Sequence, residues 1–244
     1  MKQFILVYLL LQFSVGVFGQ AIDNFTVTVE NTEIGDVIII EKYTGNEENV
    51  VIPEYINGYL VTKIRMWSFS GTIKTITIPA SIKKIGIDFS GRDVSPFHAF
   101  MGCNEIESFY VAEGNNYFCS VDGILFSKDE TILYRYPRSR SGAYLVPEGV
   151  EIIYDWAFAQ CVNLSSVIFP ISLQQIGYEA FRSCLNLSTI LFESLKRNDG
   201  TYLSYENLNI KIDLGAFNGG NSLSENIRSN LLKRFGPIIY ENER

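Results

Sequence analysis

A cysteine and a histidine are the residues of this 244-residue chain whose types and spacing come nearest to a catalytic pair. Cys103 lies five positions after His98, which is the only histidine. A thiol beside an imidazole can act as a nucleophile with its base, so a hydrolase-type site near His98 is one hypothesis. The other is that Cys103 is a small buried residue and His98 flanks a loop. We favour the second, because Cys103 occupies a repeated position of the sequence that is expected to lie inside the fold.

The remaining cysteines are Cys119, Cys161 and Cys184. Cys161 and Cys184 occupy the same repeated position as Cys103, and a disulfide between these two is one possibility. Burial as small apolar residues is the other, and we favour it because the repeat already explains their placement. Cys119 lies outside that register, and its state stays open.

Motifs for metal, phosphate and acyl-transfer chemistry do not occur in the sequence. It contains no CxxC spacing, no HExxH, no glycine-rich phosphate loop and no serine nucleophile elbow. The carboxylates of Asp88, Asp93, Glu148 and Asp155 are scattered, as on a solvated surface, rather than paired for general acid–base work. The sequence therefore predicts a protein that is not an enzyme and uses no cofactor.

A short segment contains five residues of the types that proteins use to bind partners. Tyrosine and arginine are enriched at interfaces, and the segment carries Tyr134, Arg135, Tyr136, Arg138 and Arg140. The whole chain is acidic, with 20 Lys and Arg against 27 Asp and Glu. This cluster is therefore expected to attract an acidic extracellular protein or glycan. The alternative is a half-buried hairpin with a solvated basic tip.

Three Asn-x-Ser/Thr sequons are present, at Asn24, Asn163 and Asn186. In a eukaryotic secretory route each asparagine is a potential glycan acceptor. Asn24 is the best candidate because it lies near the mature N-terminus. The other two also begin a turn of the repeat, so their match to the sequon has a structural alternative.

Composition excludes two broad classes. The chain is 47% hydrophobic and 14% aromatic, which is enough apolar surface to fold and excludes intrinsic disorder. Its net charge of −7, with no basic run longer than a pair, would repel a phosphate backbone, so nucleic acid is not an expected partner.

Residues 1–19 have the layout of a secretory signal peptide. A positively charged start precedes an apolar run over residues 4–13, and Val17 and Gly19 are small residues at positions −3 and −1 of a cleavage site. The run is shorter than the roughly 20 residues that span a bilayer, although an uncleaved anchor is the alternative. No second run approaches that length, so we expect a secreted or extracellular product without a transmembrane segment, which is either released or associated with the cell surface.

A repeat of 23 residues runs through the middle of the chain. The segment 153–161 returns as 176–184, with Ala-Phe and a cysteine at matching places. Earlier units keep the pattern but contain insertions, including a polar loop at 87–96, and a degenerate copy carries Ile212, Ala216 and Phe217. A fixed period in the low twenties predicts a solenoid, in which each unit buries its apolar face against its neighbours.

Each unit is expected to contain two short strands and a turn. Segments such as 73–79 and 164–170 have apolar residues at period two and end at proline, as half-buried strands do. A second strand then precedes the Ala-Phe turn. Stacked coils place equivalent residues roughly 4.8 Å apart, so we expect Phe100, Phe158 and Phe181 to lie in one buried column.

This pattern resembles the BspA-like leucine-rich repeat family, which residues 164–187 match nearly position by position. The resemblance implies a right-handed, β-rich solenoid of about four to five irregular coils over residues 50–192. Residues 20–49 are expected to form an N-terminal β cap that covers the open end of the solenoid, with strands at Thr26–Glu30 and Asp36–Glu41. A hairpin unit is expected at 113–144, turning at Asp122-Gly123.

The remaining residues, 193–244, are expected to form the degenerate repeat and a C-terminal cap with a short helix at 224–235. Members of the family are described mainly as surface or secreted proteins, with adhesion proposed. The resemblance therefore implies binding of an extracellular protein or glycan rather than catalysis.

Overall fold

The protein is described by a computed structural model over residues 22–33, 35–192, 211–212 and 215–217. These residues form 19 short strands and two short 3-10 helices, at Ile22–Asn24 and Pro96–Phe100. The predicted signal peptide at 1–19 and the predicted helix at 224–235 lie outside the described residues. A β-rich solenoid is the fold that the repeat predicts, and the structure confirms it.

The first strands of the described residues form an antiparallel hairpin of β1 (Phe25–Thr32) and β2 (Gly35–Tyr43). Both strands were expected, although each extends beyond its predicted ends. Ile38 and Ile40 of β2 are buried, and β2 pairs in parallel with the next coil. The second strand of the predicted cap is therefore already part of the solenoid.

The N-terminal half, residues 25–111, stacks its coils through parallel ladders. Its further strands are β3 (Asn49–Val51), β4 (Tyr55–Ile56), β5 (Tyr59–Arg65), β6 (Ser70–Gly71), β7 (Thr75–Ile78), β8 (Lys84–Ile87), β9 (Gly102–Cys103) and β10 (Ser108–Val111). The ladders run β2–β5–β8, β3–β7–β10 and β6–β9, and β4 returns antiparallel to β5. A loop at 88–95 and the second 3-10 helix separate β8 from β9.

The hairpin unit interrupts this stacking. Strands β11 (Phe118–Val121), β12 (Ile124–Ser127) and β13 (Ile132–Arg135) pair antiparallel to one another. Asp122 and Gly123 have φ of 48° and 69°, the left-handed pair that a two-residue hairpin turn requires. The turn predicted from the Asp-Gly dipeptide is therefore confirmed.

The C-terminal half, which comprises residues 142–192, 211–212 and 215–217, resumes the parallel stack. Its strands are β14 (Gly142–Leu145), β15 (Ile152–Ile153), β16 (Leu164–Phe169), β17 (Gln175–Ile176), β18 (Thr189–Phe192) and β19 (Lys211–Ile212). They form the ladders β13–β15–β17–β19 and β14–β16–β18. Ile212 of the degenerate copy pairs with Ile176, and Phe217 is buried.

The core contains two aromatic stacks rather than one. Phe158 lies 4.6 Å from Phe181 between ring centroids, and Phe181 lies 5.2 Å from Phe217. Phe100 instead packs against Phe69, at 5.5 Å, in the separate core of the N-terminal half. The prediction of a single column was therefore wrong for Phe100, because the hairpin unit lies between the two sets of coils.

Successive coils also bond to each other through the Ala-Phe turns. The backbone N–H of Phe158 donates to the carbonyl of Ala180 at 2.7 Å, and that of Gln160 donates to Arg182 at 2.6 Å. In the N-terminal half Phe69 donates to Ala99 at 3.0 Å. Each turn thus supplies N–H donors to the carbonyls of the next coil. Where a regular coil is missing, the carbonyls of the following turn need other donors.

Candidate functional site

Arg135 is the most deeply buried of the predicted binding residues, with 2% of its surface exposed. Its Nη1 donates to the carbonyls of Trp156 and Ala157, at 3.1 and 2.9 Å, and its Nη2 donates to Ala159 at 3.1 Å. In the next coil the carbonyls equivalent to those of Ala157 and Ala159 accept backbone N–H groups from the coil before. The carbonyl of Ala157 also accepts the backbone N–H of Tyr136 at 2.9 Å, so the Arg135 side chain replaces a backbone donor at Ala159 and adds a second donor at Ala157.

The interpretation of Arg135 and Tyr136 as exposed binding residues is wrong. Tyr136 is 3% exposed and its ring stacks on Phe158 at 4.9 Å. Burial lowers the pKa of Arg135 to about 10 and raises the pKa of Tyr136 to about 12. Both side chains close the end of the C-terminal core where a regular coil would otherwise pack.

The other members of the cluster also contact the protein itself. Arg138 donates to the carbonyl of Met101 at 3.1 Å. Arg140 donates to the carbonyl of Glu107 at 3.1 Å and to the carboxylate of Asp122 at 2.9 Å. The half-buried ring of Tyr134 packs edge-on against Phe118 and Tyr154. These side chains connect the hairpin unit to its neighbours, so a partner would have to compete with intramolecular bonds.

The sequon asparagines differ in their surroundings. Asn24 is half-buried, and its Nδ2 donates to the carboxylate of Glu47 at 3.2 Å. Asn163 and Asn186 are exposed at equivalent turns of successive coils. Glycosylation of all three stays a prediction.

The cysteines and the histidine are arranged as packing residues. Cys103, Cys161 and Cys184 are buried free thiols, Cys119 is a half-buried one, and Sγ of Cys184 donates to the carbonyl of Phe158 at 3.0 Å. Burial raises the pKa of Cys103 to about 12 and of Cys161 to about 11, which disfavours the nucleophilic thiolate.

His98 lies at the contact between the two halves. Its ring packs edge-on against Phe97 and Trp156, with centroids 5.4 and 5.5 Å away. Burial lowers its pKa, although its Nδ1 lies 3.2 Å from the carbonyl of Ser95. These contacts are those of a packed aromatic ring.

Metal-binding clusters and membrane spans are also absent from the part of the chain that the structure describes. No three His, Cys, Asp or Glu side chains come together there in a way that could hold a metal ion. None of its helices is long and apolar enough to cross a membrane.

An apolar row on the outer face of the C-terminal sheet is a more accessible feature. Leu145 pairs in register with Ile168, and Ile168 with Leu191, along β14–β16–β18. Leu145 is 53% exposed and Leu191 is 47% exposed, whereas the neighbouring Val167 points into the core. We call Leu145, Ile168 and Leu191 the apolar row. The sequence contains its signal, because these three residues are 23 positions apart.

Stacked parallel coils with an Ala-Phe turn and a repeat of 23 residues define a leucine-rich-repeat solenoid. The family profile described as BspA type Leucine rich repeat region matches residues 39–121 and 143–242, with six copies. The chain therefore belongs to the BspA-type leucine-rich repeat family, as the repeat predicted. Six copies exceed the expected four to five units, and the unmatched residues 122–142 fall in the hairpin unit.

Solved structures of other leucine-rich repeat proteins are similar to this chain. The T. pallidum leucine-rich repeat protein is 21% identical with a TM-score of 0.50, over 92% of this chain and 98% of that one. A leucine-rich cell surface protein of Faecalibacterium prausnitzii is 17% identical with a TM-score of 0.36, over 73% and 77% of the two chains. Among curated proteins, none matches this sequence. Family membership supports a non-catalytic repeat protein.

Proposed function

We propose that this chain is a secreted recognition protein that binds an extracellular protein through the apolar row. The observation that supports this proposal is the exposure of Leu145 and Leu191 on one face of a regular sheet. Exposed apolar side chains that are aligned, rather than scattered, mark interaction surfaces. The sheet face is also the extended surface that a solenoid offers to partners.

The chemistry of the row favours a protein over a glycan. Ser166 pairs with Thr189 on the same sheet, so polar side chains lie two positions from Ile168 and Leu191 along the strands. An apolar centre with a polar rim is the usual composition of a protein interface. Adjacent strands place the side chains of the row at roughly 4.8 Å intervals, a spacing that suits apolar side chains of a partner.

A double substitution tests the site. Leu145→Ser with Leu191→Ser removes the two most exposed side chains of the row, and the matched control, Val162→Ser with Leu185→Ser, removes two exposed apolar residues elsewhere on the C-terminal half. The chain starting at Gln20 is immobilised and screened against purified extracellular proteins and a glycan array. We expect the first variant to weaken binding of a protein partner by about tenfold or more, and the control to leave it unchanged.

Equal loss in both variants would contradict the site, and binding confined to glycans would contradict the class of partner. Circular dichroism of both variants verifies that the fold is kept. Secretion is tested separately, by expressing the full chain and sequencing the N-terminus of the released product, which we expect to be Gln20. Retention of residues 1–19 on a cell-bound product would contradict secretion by cleavage.

A further inference from the structure

Four side chains form a continuous stack at the edge of the C-terminal half. The guanidinium of Arg135 lies 5.0 Å from the ring centroid of Phe97, and Phe97 stacks on Trp156 at 5.2 Å with planes 11° apart. The guanidinium of Arg182 lies 5.2 Å from the ring of Trp156. We call this arrangement of arginine, phenylalanine, tryptophan and arginine the closed stack. The ring of Trp156 is therefore contacted both by an aromatic ring and by a cation.

The N-terminal half contains the first three layers of the same arrangement. The guanidinium of Arg65 lies 5.4 Å from the ring of Phe89, and Phe89 lies 5.8 Å from Trp67 with planes 51° apart. We call Arg65, Phe89 and Trp67 the open stack. It has the same order of residue types, although its two rings are tilted rather than parallel.

The two tryptophans occupy the same backbone position of the repeat. Each precedes the residue pair that ends in the buried phenylalanine of its coil, and their φ angles are 63° for Trp67 and 61° for Trp156. The backbone N–H of each tryptophan donates to a backbone carbonyl of the next coil, that of Trp67 to His98 at 2.7 Å and that of Trp156 to Tyr178 at 3.0 Å. A left-handed conformation is unusual for so bulky a residue, so the repeat holds both tryptophans in the same backbone conformation.

The fourth layer is where the two stacks differ. Arg182 directly follows the Ala-Phe pair of the coil after Trp156, and the residue at the same place after Trp67 is Met101. Methionine carries no cation, and among the residues that the structure describes no other guanidinium lies on the ring of Trp67 as Arg182 lies on that of Trp156. Trp67 remains 51% exposed and Phe89 69% exposed.

The open stack is also fixed in place before any partner arrives. The carboxylate of Asp88 accepts bonds from the backbone N–H groups of Ser90 and Arg92, at 2.8 and 2.9 Å, which orders the loop that carries Phe89. Arg65 donates to the carbonyl of Asp88 at 2.8 Å. Binding to a surface that is already ordered costs less conformational entropy.

We infer that the ring of Trp67, with Phe89 packed against it, binds an arginine side chain of an extracellular protein, which supplies the guanidinium that Arg182 supplies in the closed stack. Guanidinium groups bind tryptophan faces through cation–π attraction, and tryptophan–arginine contacts are frequent at interface hot spots. Nearby cations do not oppose this ligand, because Arg65 pairs with Glu41 at 2.7 Å and Arg92 with Asp88 at 2.9 Å. The net charge of −7 favours a basic partner. This site lies in the other half from the apolar row and does not depend on it.

Two matched peptides test the inference with the chain starting at Gln20. One is a short glycine peptide with three arginines, and the other has lysine at the same places. The chain contains two tryptophans, so Trp156→Phe leaves Trp67 as the fluorescent reporter of binding. We expect the arginine peptide to bind about threefold or more tightly than the lysine peptide. Trp67→Ala, measured by calorimetry, should abolish this preference, and Phe89→Ser should reduce it.

Substitution of Met101 gives a sharper test. Met101→Arg places a guanidinium where Arg182 stands in the closed stack, so it should occupy the Trp67 ring from within and lower the affinity for the arginine peptide. Met101→Leu is the control and should not change it. Equal affinity for both peptides, or an arginine preference that survives Trp67→Ala, would overturn the inference.

A neutral oligosaccharide that binds at Trp67 in place of the arginine peptide would also overturn it, in favour of a glycan site. The Leu145→Ser, Leu191→Ser variant should bind the arginine peptide normally. A result that contradicts protein binding at the apolar row can therefore be distinguished from one that contradicts arginine binding at the open stack.

Discussion

The two halves of the molecule use one repeat but complete it to different extents. In the C-terminal half, coils 23 residues apart place Phe158 directly on Phe181, with ring planes 10° apart. In the N-terminal half, insertions shift the coils, and Phe69 meets Phe100 at a 39° tilt. Regular spacing therefore gives parallel stacking, while insertions are accommodated by tilted rings and by loops at the edge. The irregular half is also the one that leaves a tryptophan uncovered.

The hairpin unit shows how a solenoid tolerates an interruption. Its strands pair antiparallel to one another, and only its last strand, β13, pairs in parallel with the coil that follows. Tyr136 supplies one backbone donor, to the carbonyl of Ala157 at 2.9 Å. The Arg135 guanidinium, which carries five donors in a rigid fork, supplies the rest of this contact.

The largest effect is expected from truncation in the regular stack. Phe158→Ala should lower the free energy of unfolding by about 4 kcal/mol, because it removes a fully buried ring from between Tyr136 and Phe181. Urea denaturation measures this loss. Phe100→Ala should cost a similar amount, since Phe100 is equally buried, and a much smaller loss there would show that the tilted stack contributes less.

An exposed ring provides the control for both variants. Phe89→Ala removes a side chain that is 69% exposed, and it should change the free energy of unfolding by less than about 0.5 kcal/mol. Alkylation of Cys161, which is buried in the wild-type chain, should accelerate in Phe158→Ala. An unchanged urea midpoint in Phe158→Ala would contradict the description of this core.

The next largest loss of stability is expected from a substitution in the hairpin unit. Arg135→Ala should lower the free energy of unfolding by about 3 kcal/mol, because the buried carbonyl of Ala159 loses its donor and a fully buried side chain is removed. The carbonyls of Trp156 and Ala157 lose the guanidinium but each keeps one backbone donor, from Ala159 and Tyr136. Arg135→Lys keeps the charge but not the planar fork, and should recover only part of this loss. The control is Arg92→Ala, whose side chain is 81% exposed. Similar unfolding curves for Arg135→Ala and Arg92→Ala would exclude a structural role for Arg135.

These contrasts explain which features the sequence could predict. The repeat located the strands around Ile153 and Ile176, because a fixed period records which positions face the core. The burial of Arg135 was not predicted, because arginine beside tyrosine is also typical of a protein interface. The available signal was the alternation of β13, in which Leu133 and Arg135 point inward at period two. The need for a guanidinium there arises from the backbone of another coil, which no local pattern records.

The sequence repeat could not predict the open stack, for a related reason. Trp67 and Phe89 are 22 positions apart and belong to different coils. Their contact depends on the path of an inserted loop and on a left-handed φ at Trp67. Only the comparison with Trp156 in three dimensions shows that Met101 takes the place of an arginine.

A smaller effect is expected at the inserted loop of the N-terminal half. A Cβ at Gly86 would lie 2.6 Å from the carbonyl oxygen of Ser95, whereas a Cβ at Gly91 would meet nothing within 4 Å. Both glycines have positive φ, of 77° and 85°. Gly91→Ala should therefore cost about 1 kcal/mol from backbone strain alone, and Gly86→Ala about 2 kcal/mol or more. Thermal or urea unfolding of the two variants, if it gave equal losses, would contradict the close approach of the loop to β8.

The smallest effect is expected from His98, at the contact between the halves. Because burial lowers its pKa in the folded protein, the unfolded chain binds a proton more readily. The contribution of His98 to stability is therefore fully present above its unfolded pKa, near 6.5, and is lost as the pH falls through the lower folded value. Carboxylates such as Asp129, whose pKa is lowered by the hydroxyls of Ser127 and Thr131, respond at lower pH. Urea denaturation between pH 7 and pH 5 should show a decline in stability that His98→Gln makes smaller. The same pH slope in both proteins would mean that the imidazole packed on Trp156 is not the group that titrates.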